Sequence, residues 1–420
     1  MADLNNSRYL KNIANIGDQH QIIADDDIYS VTGIKLLKHG SKINTKIFSD
    51  LLSHKLTKPI DESLTIENCI TTDVILSKIN ELTEKNILAK EILKDIKIQN
   101  LVSQVIKSIK IPKPLQFKLN LLEISMPKTV NHCLLVTLAS IYIAYKQNIE
   151  QSRIVKLAYA AIFLDIGLLH IDSSIFNKTT PLSDEERKNI YSHPIVAALI
   201  INTYLHDKNV CLSIMDHHER ADGSGYPKGK KIENICENGL ILGIAELAVS
   251  LSEASGKYSF KIKIQSILKF NAEQYDKKAI LILHELIATM DDTDHIYTNS
   301  KDNSYYMDII LKLWSIINNN DNDIRNQKDI SEFISNQLFT LKYNLNMSGL
   351  SMDIFTMDNK DIDEILTDAE ETHALIDEAM YKLKSTINEI KRRWLDKINS
   401  HESYKRISNW LEHVDSITNN

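Results

Sequence analysis

The side chains best suited to chemistry lie together in one short segment, residues 217–227. Two adjacent histidines begin the segment, and a polar loop with two glycines follows. The run is His217, His218, Glu219, Arg220, Ala221, Asp222, Gly223, Ser224, Gly225, Tyr226 and Pro227. Neutral imidazoles suit Fe, Mn or Zn, and glycine lets the backbone approach a ligand closely. These residue types predict a metal site, although Asp222 and its glycines are also typical of an ordinary turn.

A helical region has to position this segment. Apolar residues recur with helical spacing through most of 111–290, and Ser183 ahead of three acidic residues is a helix start signal. Helices are predicted over Asn131–Tyr145, Ser152–Leu169, Asp184–Tyr204, Val210–Glu219, Ile241–Ala254 and Lys277–Met290. The two histidines therefore end a helix, and the glycine-containing loop follows at once.

Three regions differ in their pattern, which predicts a small α+β N-terminal module over 1–110, a helical domain over 111–290 and a helical C-terminal extension over 291–420. Within the first, residues 27–30 and 34–37 flank Gly33 and predict a hairpin. Further signals in this region are a helix over 44–56, a short strand over 63–67 and helical spacing over 73–108.

A seven-residue apolar repeat runs through the third region. One row is Ile362, Ala369, Ile376, Leu383 and Ile390, and the other is Leu366, His373, Met380, Ile387 and Trp394. Such a repeat predicts a long helix that packs lengthwise against a partner helix. The partner is either another helix of the same chain or the same helix in a second copy, and the sequence leaves both open.

Composition narrows the class of protein. A chain of 420 residues that is 43% hydrophobic can bury a sizeable core in two or three domains. The net charge of -7 argues against general binding to nucleic acid or anionic membranes. Four dispersed cysteines without CxxC spacing predict reduced, mostly buried thiols. Because no apolar stretch reaches the roughly 18–20 residues of a membrane span and the N-terminus has no signal-peptide core, we expect a cytoplasmic protein.

The segment 217–227 resembles the HHExxDGxGYP signature of the HD-GYP family, with every signature position present. The resemblance extends from about Met126 to Leu286, some two-fifths of the chain. It implies a mainly α, HD-GYP-type helical bundle holding metal ions, usually iron or manganese. It also implies a bacterial phosphodiesterase of cyclic di-GMP signalling, which hydrolyses its substrate to pGpG or GMP by two-metal chemistry.

Other motif positions carry over from the family one at a time. His132 matches the first histidine ligand, Asp165 the aspartate of the His-Asp pair, His193 the next ligand and Glu246 the last aspartate. The resemblance therefore implies metal binding by His132, Asp165, His193, His217, His218 and Glu246, with Asp165 catalytic. It implies a substrate-facing loop of Glu219, Arg220, Asp222, Gly223, Gly225, Tyr226 and Pro227. Taken singly, His132 also fits a buried core residue, and His193 before proline fits a helix start.

Three positions depart from the family's pattern. Leu164 replaces the histidine of the His-Asp pair, Leu168 replaces a lysine expected after the glycine, and Lys128 stands where members with three metal ions have a glutamate. Leucine cannot coordinate a metal, and losing a cation weakens electrostatic support for a phosphate. His170 follows Asp165 by five positions, which on a helix points about 140° away, so we do not expect it to substitute.

The resemblance and the departures together predict a cyclic di-GMP signalling protein whose hydrolytic activity is reduced or lost. The alternative is a non-catalytic module that binds cyclic di-GMP or a protein partner. The implied cofactor is a divalent metal, Fe or Mn, with two ions rather than three, and a metal-free chain remains the alternative. The expected partners are cyclic di-GMP, a signalling protein and, through the C-terminal helix, a second copy of the chain, with no nucleic acid and no membrane span.

Overall fold

The computed structural model describes residues 7–66, 69–172, 174–175, 178, 182–254, 257–290, 303–318, 328–351, 369–400 and 404–418. Its helices are α1 (Ser7–Gln19), α2 (Thr45–Leu52), α3 (Thr72–Thr83), α4 (Ile87–Ile92), α5 (Ile96–Ser108), α6 (Lys113–Ser125), α7 (Pro127–Lys146), α8 (Gln151–Phe163), α9 (Asp184–Tyr191), α10 (His193–Leu205), α11 (Lys208–Asp216), α12 (Glu237–Glu253), α13 (Phe260–Asn271), α14 (Lys277–Ala288), α15 (Asn303–Asn318), α16 (Lys328–Met347), α17 (Ala369–Ser400) and α18 (Lys405–Thr418). Its strands are β1 (Ile22–Ala24), β2 (Ile28–Tyr29), β3 (Lys35–Leu37) and β4 (Leu64–Ile66). The predicted fold class, mainly α with a small α+β module at the N-terminus, is confirmed.

Side chains at helix starts explain many of these boundaries. Asn44, Thr71 and Asn86 accept hydrogen bonds from backbone N–H groups in the first turns of α2, α3 and α4. Ser183 caps α9 as predicted, and Glu186 completes a reciprocal capping box with it. Each cap satisfies a donor that the helix itself leaves unpaired.

The strands form two small antiparallel pairs. β2 pairs with β3, with Ile28 opposite Leu37, which confirms the predicted hairpin. β1 pairs with β4, with Ile22 opposite Ile66, so two segments distant in sequence join. A buried ion pair between Lys118 of α6 and Asp61 links this strand region to the helices that follow it.

Two predicted helices end earlier than their apolar pattern suggested. The predicted helix over 184–204 is interrupted at Ser192, and α10 begins with His193 and Pro194, because proline has no N–H to continue the α9 ladder. The predicted helix over 152–169 ends at Phe163, and a 3₁₀ turn occupies Ile166–His170. Both breaks lie next to predicted metal ligands.

The chain divides into two compact units, Met1–Ala254 with Glu273–Thr289, and Ser255–Ala272 with Met290–Asn420. Within the first, α7 lies against α8, α12, α3 and α6, and α10 lies against α11 and the 3₁₀ turn at Ile166–His170. The division into three domains near 110 and 290 stays a prediction, and the N-terminal module and most of the helical domain share the first unit.

In the second unit α17 packs against α13, α15, α16 and α18 of the same unit. Ile376, Leu383, Ile387 and Ile390 of the two repeat rows belong to its core. Ile362 and Leu366 lie outside the described residues. Most of the repeat is therefore covered within the chain, and a dimer through it stays a prediction. Among the described helices, none combines the length and apolarity that crossing a membrane requires.

Candidate metal centre

Three histidines converge in the first unit. His193 is the first residue of α10, His217 caps the end of α11 and His218 follows it. One ring nitrogen from each lies within 4.8 Å of the others. His193 and His217 are almost completely buried, at 2% and 0% exposed. The structure thus brings together three of the six predicted metal ligands from two different helices.

Backbone carbonyls fix the orientation of two of these rings. Nδ1 of His193 donates to the Ile190 carbonyl at 2.7 Å, and Nδ1 of His217 donates to the Ile214 carbonyl at 2.5 Å. In neutral imidazoles this leaves the Nε2 atoms as lone-pair acceptors, and they lie 3.3 Å apart. Two lone pairs at this distance repel, so the pair needs either a proton on one ring or a metal ion beside both nitrogens. Such tethering of the second ring nitrogen is characteristic of metal-binding histidines.

Two carboxylates flank the histidines from opposite sides. Asp165, which follows the end of α8, places Oδ1 at 3.2 Å from His193 Nε2. Glu246 of α12 places Oε2 at 3.2 Å from His218 Nδ1, without hydrogen-bond geometry. Among the described residues, that buried Glu246 oxygen accepts no hydrogen bond. An unsatisfied buried carboxylate oxygen is costly, and a bound cation would remove the cost.

The two carboxylates have opposite electrostatic surroundings. Burial raises the pKa of Glu246 to about 7. Burial also acts to raise the pKa of Asp165, but the hydrogen bond with His193 and the charge of that ring outweigh it and lower the pKa to about 2. Asp165 is therefore a fixed anion at neutral pH, whereas Glu246 exchanges its proton near neutrality. A cation next to Glu246 would favour its ionised form.

His132 lies apart from the group of three. Its Nδ1 is 2.7 Å from Oε2 of Glu253 on α12. Burial acts to lower the pKa of His132, but the hydrogen bond to Glu253 and the charges of the nearby carboxylates together outweigh it, and the pKa rises to about 9. A carboxylate–histidine pair is also how proteins orient a metal-binding imidazole, with the second nitrogen directed away from the carboxylate.

Three observations indicate that these residues suit a metal ion. The imidazoles are tethered, the two Nε2 atoms face each other, and a buried carboxylate oxygen has no hydrogen bond among the described residues. Ligands that are neighbours on one octahedral ion with bonds near 2.1 Å lie about 3 Å apart. The separations of 3.2 and 3.3 Å around His193 are close to that spacing. The residues that would hold an ion are His193, His217, His218, Asp165 and Glu246, with His132 as the predicted ligand farther out.

The loop after the histidines is organised mainly by its own side chains. Glu219, 3% exposed, accepts from the backbone N–H of Lys228 and of Lys230, at 2.7 Å each. Asp222 accepts from the backbone and hydroxyl of Ser224. These two carboxylates therefore hold the loop closed in the way that turn chemistry predicts.

Gly225 has to be glycine for a steric reason. A Cβ at this position would lie 2.4 Å from the Arg220 nitrogen and from the His218 oxygen, both backbone atoms. Gly223 has a φ of +82°, which favours glycine for a different reason. The loop can double back against the histidines only because both residues lack side chains.

Arg220 and Tyr226 contact the two adjacent histidines. Arg220 donates to the backbone oxygens of His217 and Glu219 and lies over the Tyr275 ring. Tyr226 stacks on His218 with ring centroids 4.4 Å apart, and a cis peptide bond joins it to Pro227. The predicted substrate-facing loop thus also has a structural task, and its contact with substrate stays a prediction.

The three departures from the family's pattern occupy different surroundings. Leu164 is buried at the end of α8. Leu168 belongs to a small apolar cluster with Ile171 and Ile175. Lys128 lies in the first turn of α7 and is exposed. His170 stacks on Tyr9 with ring centroids 4.6 Å apart, outside the group of three histidines, so it is not placed to replace the missing ligand.

Two residues near the centre escaped the sequence analysis. Glu253 lies seven positions after Glu246, so two helical turns bring both carboxylates to one face of α12, and that spacing could have revealed it. The buried thiol of Cys133 lies 3.8 Å from Oδ2 of Asp165. Nothing in the dispersed cysteine pattern pointed to that contact.

Part of this chain is similar to known proteins. The HD domain family matches residues 114–278. The cyclic di-GMP phosphodiesterase PdeB of Borreliella burgdorferi is 28% identical over 161 residues, which cover 38% of this chain and 42% of that protein. The 3'3'-cGAMP-specific phosphodiesterase 1 of Vibrio cholerae is 31% identical over 107 residues, covering 26% of this chain and 24% of that protein. The chain thus spans less than half the length of these relatives.

Among solved structures, Bd1817, an HDG"Y"P protein from Bdellovibrio bacteriovorus, aligns with 17% identity and a TM-score of 0.36, covering 63% of this chain and 95% of that one. The family match, the relatives and the complete signature loop together define the class of this region. Residues 114–278 match the HD domain family and contain every position of the HD-GYP signature loop.

Proposed function

We propose that this domain binds divalent metal ions through its histidine cluster and hydrolyses a phosphodiester bond of cyclic di-GMP, at a rate reduced by its altered ligand set. The observation that carries the proposal is the pair of facing Nε2 atoms of His193 and His217, 3.3 Å apart, each on a ring tethered to a backbone carbonyl. Without a metal ion one of these nitrogens must carry a proton, whereas a divalent ion beside both would use both lone pairs as ligands. Similarity to phosphodiesterases of cyclic dinucleotides supports the choice of substrate.

A metal ion bound here would supply a Lewis acid and lower the pKa of a bound water. The chain's own residues orient the site around it. Asp165 contributes a permanent negative charge, and the carbonyls of Ile190 and Ile214 keep two imidazoles in the ligating tautomer. Glu246, whose pKa burial raises to about 7 without a metal, would be held in its ionised form beside the cation and serve as a ligand.

Two leucines support a reduced rate. Leu164 removes one imidazole from the ligand set, and Leu168 removes a cation and lies instead in an apolar cluster. We propose two metal ions rather than three, because Lys128 places a positive charge where a third ion requires a carboxylate. Iron and manganese are the proposed metals.

The second candidate is a non-catalytic domain that binds a cyclic dinucleotide. The burial of Leu164 favours it, since no other described histidine takes up the missing position and His170 lies against Tyr9. The proposed histidine cluster would then have a structural or ligand-binding role.

Metal analysis of the purified full chain combined with a cyclic di-GMP hydrolysis assay separates the candidates. We expect more than one equivalent of metal and slow, chelator-sensitive production of pGpG or GMP. His217→Ala should remove metal and turnover together. His284→Ala, at an exposed position of α14, is the matched control and should change neither.

Turnover that survives His217→Ala would contradict the proposed site. A metal-free chain that binds cyclic di-GMP tightly without cleaving it would establish the second candidate. If the chain prefers 3'3'-cGAMP to cyclic di-GMP in the same assay, the proposed reaction would stand and the proposed substrate would be wrong.

A further inference from the structure

A cavity of about 590 Å³, which the sequence does not predict, opens beside the candidate metal centre. Asp165 and His132 lie on its wall, so it borders the candidate site directly. The other lining residues come from the turn between α3 and α4, the first turns of α7 and the end of α12. Its volume falls in the range of roughly 300–1,000 Å³ that is typical of small-molecule sites.

Two lysines give the cavity a positive wall. Lys85 lies in the α3–α4 turn, and Lys128 lies in the first turn of α7. Within the described parts of the chain neither ammonium forms an ion pair, whereas many other lysines of this unit do. Two cations without an acidic partner therefore face one concave surface.

The anionic side chains of the cavity are already engaged. Asp165 contacts His193, and Glu253 contacts His132. Lys85 and Lys128 are thus the lining charges without an ion-pair partner among the described residues, and they favour an anionic ligand.

The start of α7 reinforces this preference. No side chain caps the helix at Met126, so the positive end of the helix dipole is uncompensated by a carboxylate or hydroxyl. Thr129 and Asn131 add a hydroxyl and an amide to the same wall, both of which can hydrogen-bond phosphate or sugar oxygens.

We infer that this cavity binds a phosphate group and adjoining sugar of a nucleotide ligand, with Lys85 and Lys128 as the cations that hold the phosphate. The inference rests on the proposed function, because the cavity would hold the part of a cyclic dinucleotide that does not lie at the histidine cluster. It also assigns a role to Lys128, which takes the position where the family's glutamate would bind a third metal ion.

Calorimetric titration of the purified full chain tests this directly. The probes are cyclic di-GMP, GMP and inorganic phosphate. We expect Lys85→Gln and Lys128→Gln each to raise the Kd for cyclic di-GMP about fivefold and the double variant about 20- to 30-fold. Lys146→Gln, at the far end of α7, makes the same change in net charge and should leave the Kd unchanged.

Two further readouts distinguish ligand binding from a structural role. Metal content should be unchanged in every lysine variant, and Lys128→Arg should retain wild-type affinity. Higher salt should weaken cyclic di-GMP binding more in the wild type than in the double variant, because salt screens the attraction between lysine and phosphate that only the wild type retains. If the chain turns over, KM should rise in the double variant while kcat stays nearly constant.

Lysine-dependent binding of cyclic di-GMP would support the inference. Whether inorganic phosphate binds with the same lysine dependence would then define how much of the ligand is recognised. A double variant within twofold of wild type, or a wild type that binds none of the three probes, would overturn it. Lysine-dependent binding without hydrolysis would refute catalysis and leave the cavity assignment intact. Metal-dependent hydrolysis with an unaltered KM in the double variant would support catalysis and refute the cavity assignment.

Discussion

His193 and His217 each use one ring nitrogen to hold the ring and leave the other facing the site. The tether is a backbone carbonyl three residues earlier in both cases, at Ile190 and Ile214. A sequence can indicate that a histidine lies near the end of a helix, but the choice of tautomer depends on where that carbonyl lies. The metal-binding potential of these residues is therefore a property of their hydrogen bonds as much as of their type.

Restoring the missing imidazole is the most direct single-residue test. We expect Leu164→His to raise the metal content per chain, because it returns a ligand next to Asp165 at the end of α8. Elemental analysis of the purified variant measures it, with Leu164→Asn as a polar control that cannot supply an imidazole. Equal metal content in wild type and Leu164→His would show that position 164 does not face the centre.

His170 makes stability depend on pH. Burial, with a contribution from nearby Lys118, lowers the pKa of His170 to about 4 from its ordinary value of 6.5. Between these values the unfolded chain binds a proton that the folded chain does not, so the free energy of unfolding falls as pH is lowered through this window. Between pH 7 and pH 5 the loss from this residue is about 2 kcal/mol.

Replacing the titrating ring isolates that contribution. His170→Phe keeps an aromatic ring opposite Tyr9 but cannot titrate. Urea denaturation at both pH values should show a smaller loss of stability in this variant, by about 2 kcal/mol. An identical loss in wild type and variant would mean that other groups account for the acid sensitivity.

The 3₁₀ turn at Ile166–His170 determines how Asp165 meets α10. A Cβ on Gly167 would lie 2.2 Å from the His193 oxygen and 2.9 Å from the Ala197 nitrogen. Both are backbone atoms, so the turn and the helix can approach this closely only at a glycine. This approach brings Asp165 to 3.2 Å from His193.

Gly167→Ala should therefore separate the aspartate from the histidine. We expect a loss of about 1–3 kcal/mol in the free energy of unfolding together with a loss of bound metal. Gly33→Ala is the control, since Gly33 has a φ of +81° but open space around it. It should cost about 1–2 kcal/mol without changing metal content. Full metal occupancy in Gly167→Ala would show that the close approach does not position the ligand.

The repeat in α17 belongs to the core of the second compact unit. Leu383 is buried there, whereas Tyr381 on the same helix is 66% exposed. We expect Leu383→Ala to lower the free energy of unfolding by about 2–5 kcal/mol and Tyr381→Ala to change it by less than about 0.5 kcal/mol.

Light scattering on the same two variants addresses assembly. Because Leu383 packs within the chain, its truncation should destabilise the unit without a specific change in oligomeric state. A wild-type dimer that dissociates in Leu383→Ala while the chain stays folded would instead identify the repeat as an interface between copies.

Much of the fold could be predicted from the sequence because its signals are local. The Gly33 hairpin, the Ser183 cap and most helices of the first unit depend on periodicity and on residues within a few positions of one another. The breaks at Phe163 and Ser192 were missed because apolar periodicity continues across them. What ends these helices is proline chemistry at Pro194 and the close approach at Gly167, and the latter is a tertiary contact.

The signature loop, the predicted ligand types and the three departures at Lys128, Leu164 and Leu168 are properties of the sequence by itself, since they require only residue identity and order. The tertiary structure alone decided which of those ligands meet. It brought His193 beside His217 and Asp165, paired His132 with Glu253, and placed Lys85 and Lys128 on one cavity. The physical reason is that these groups lie on separate helices, and only the packing of those helices sets the distances between them.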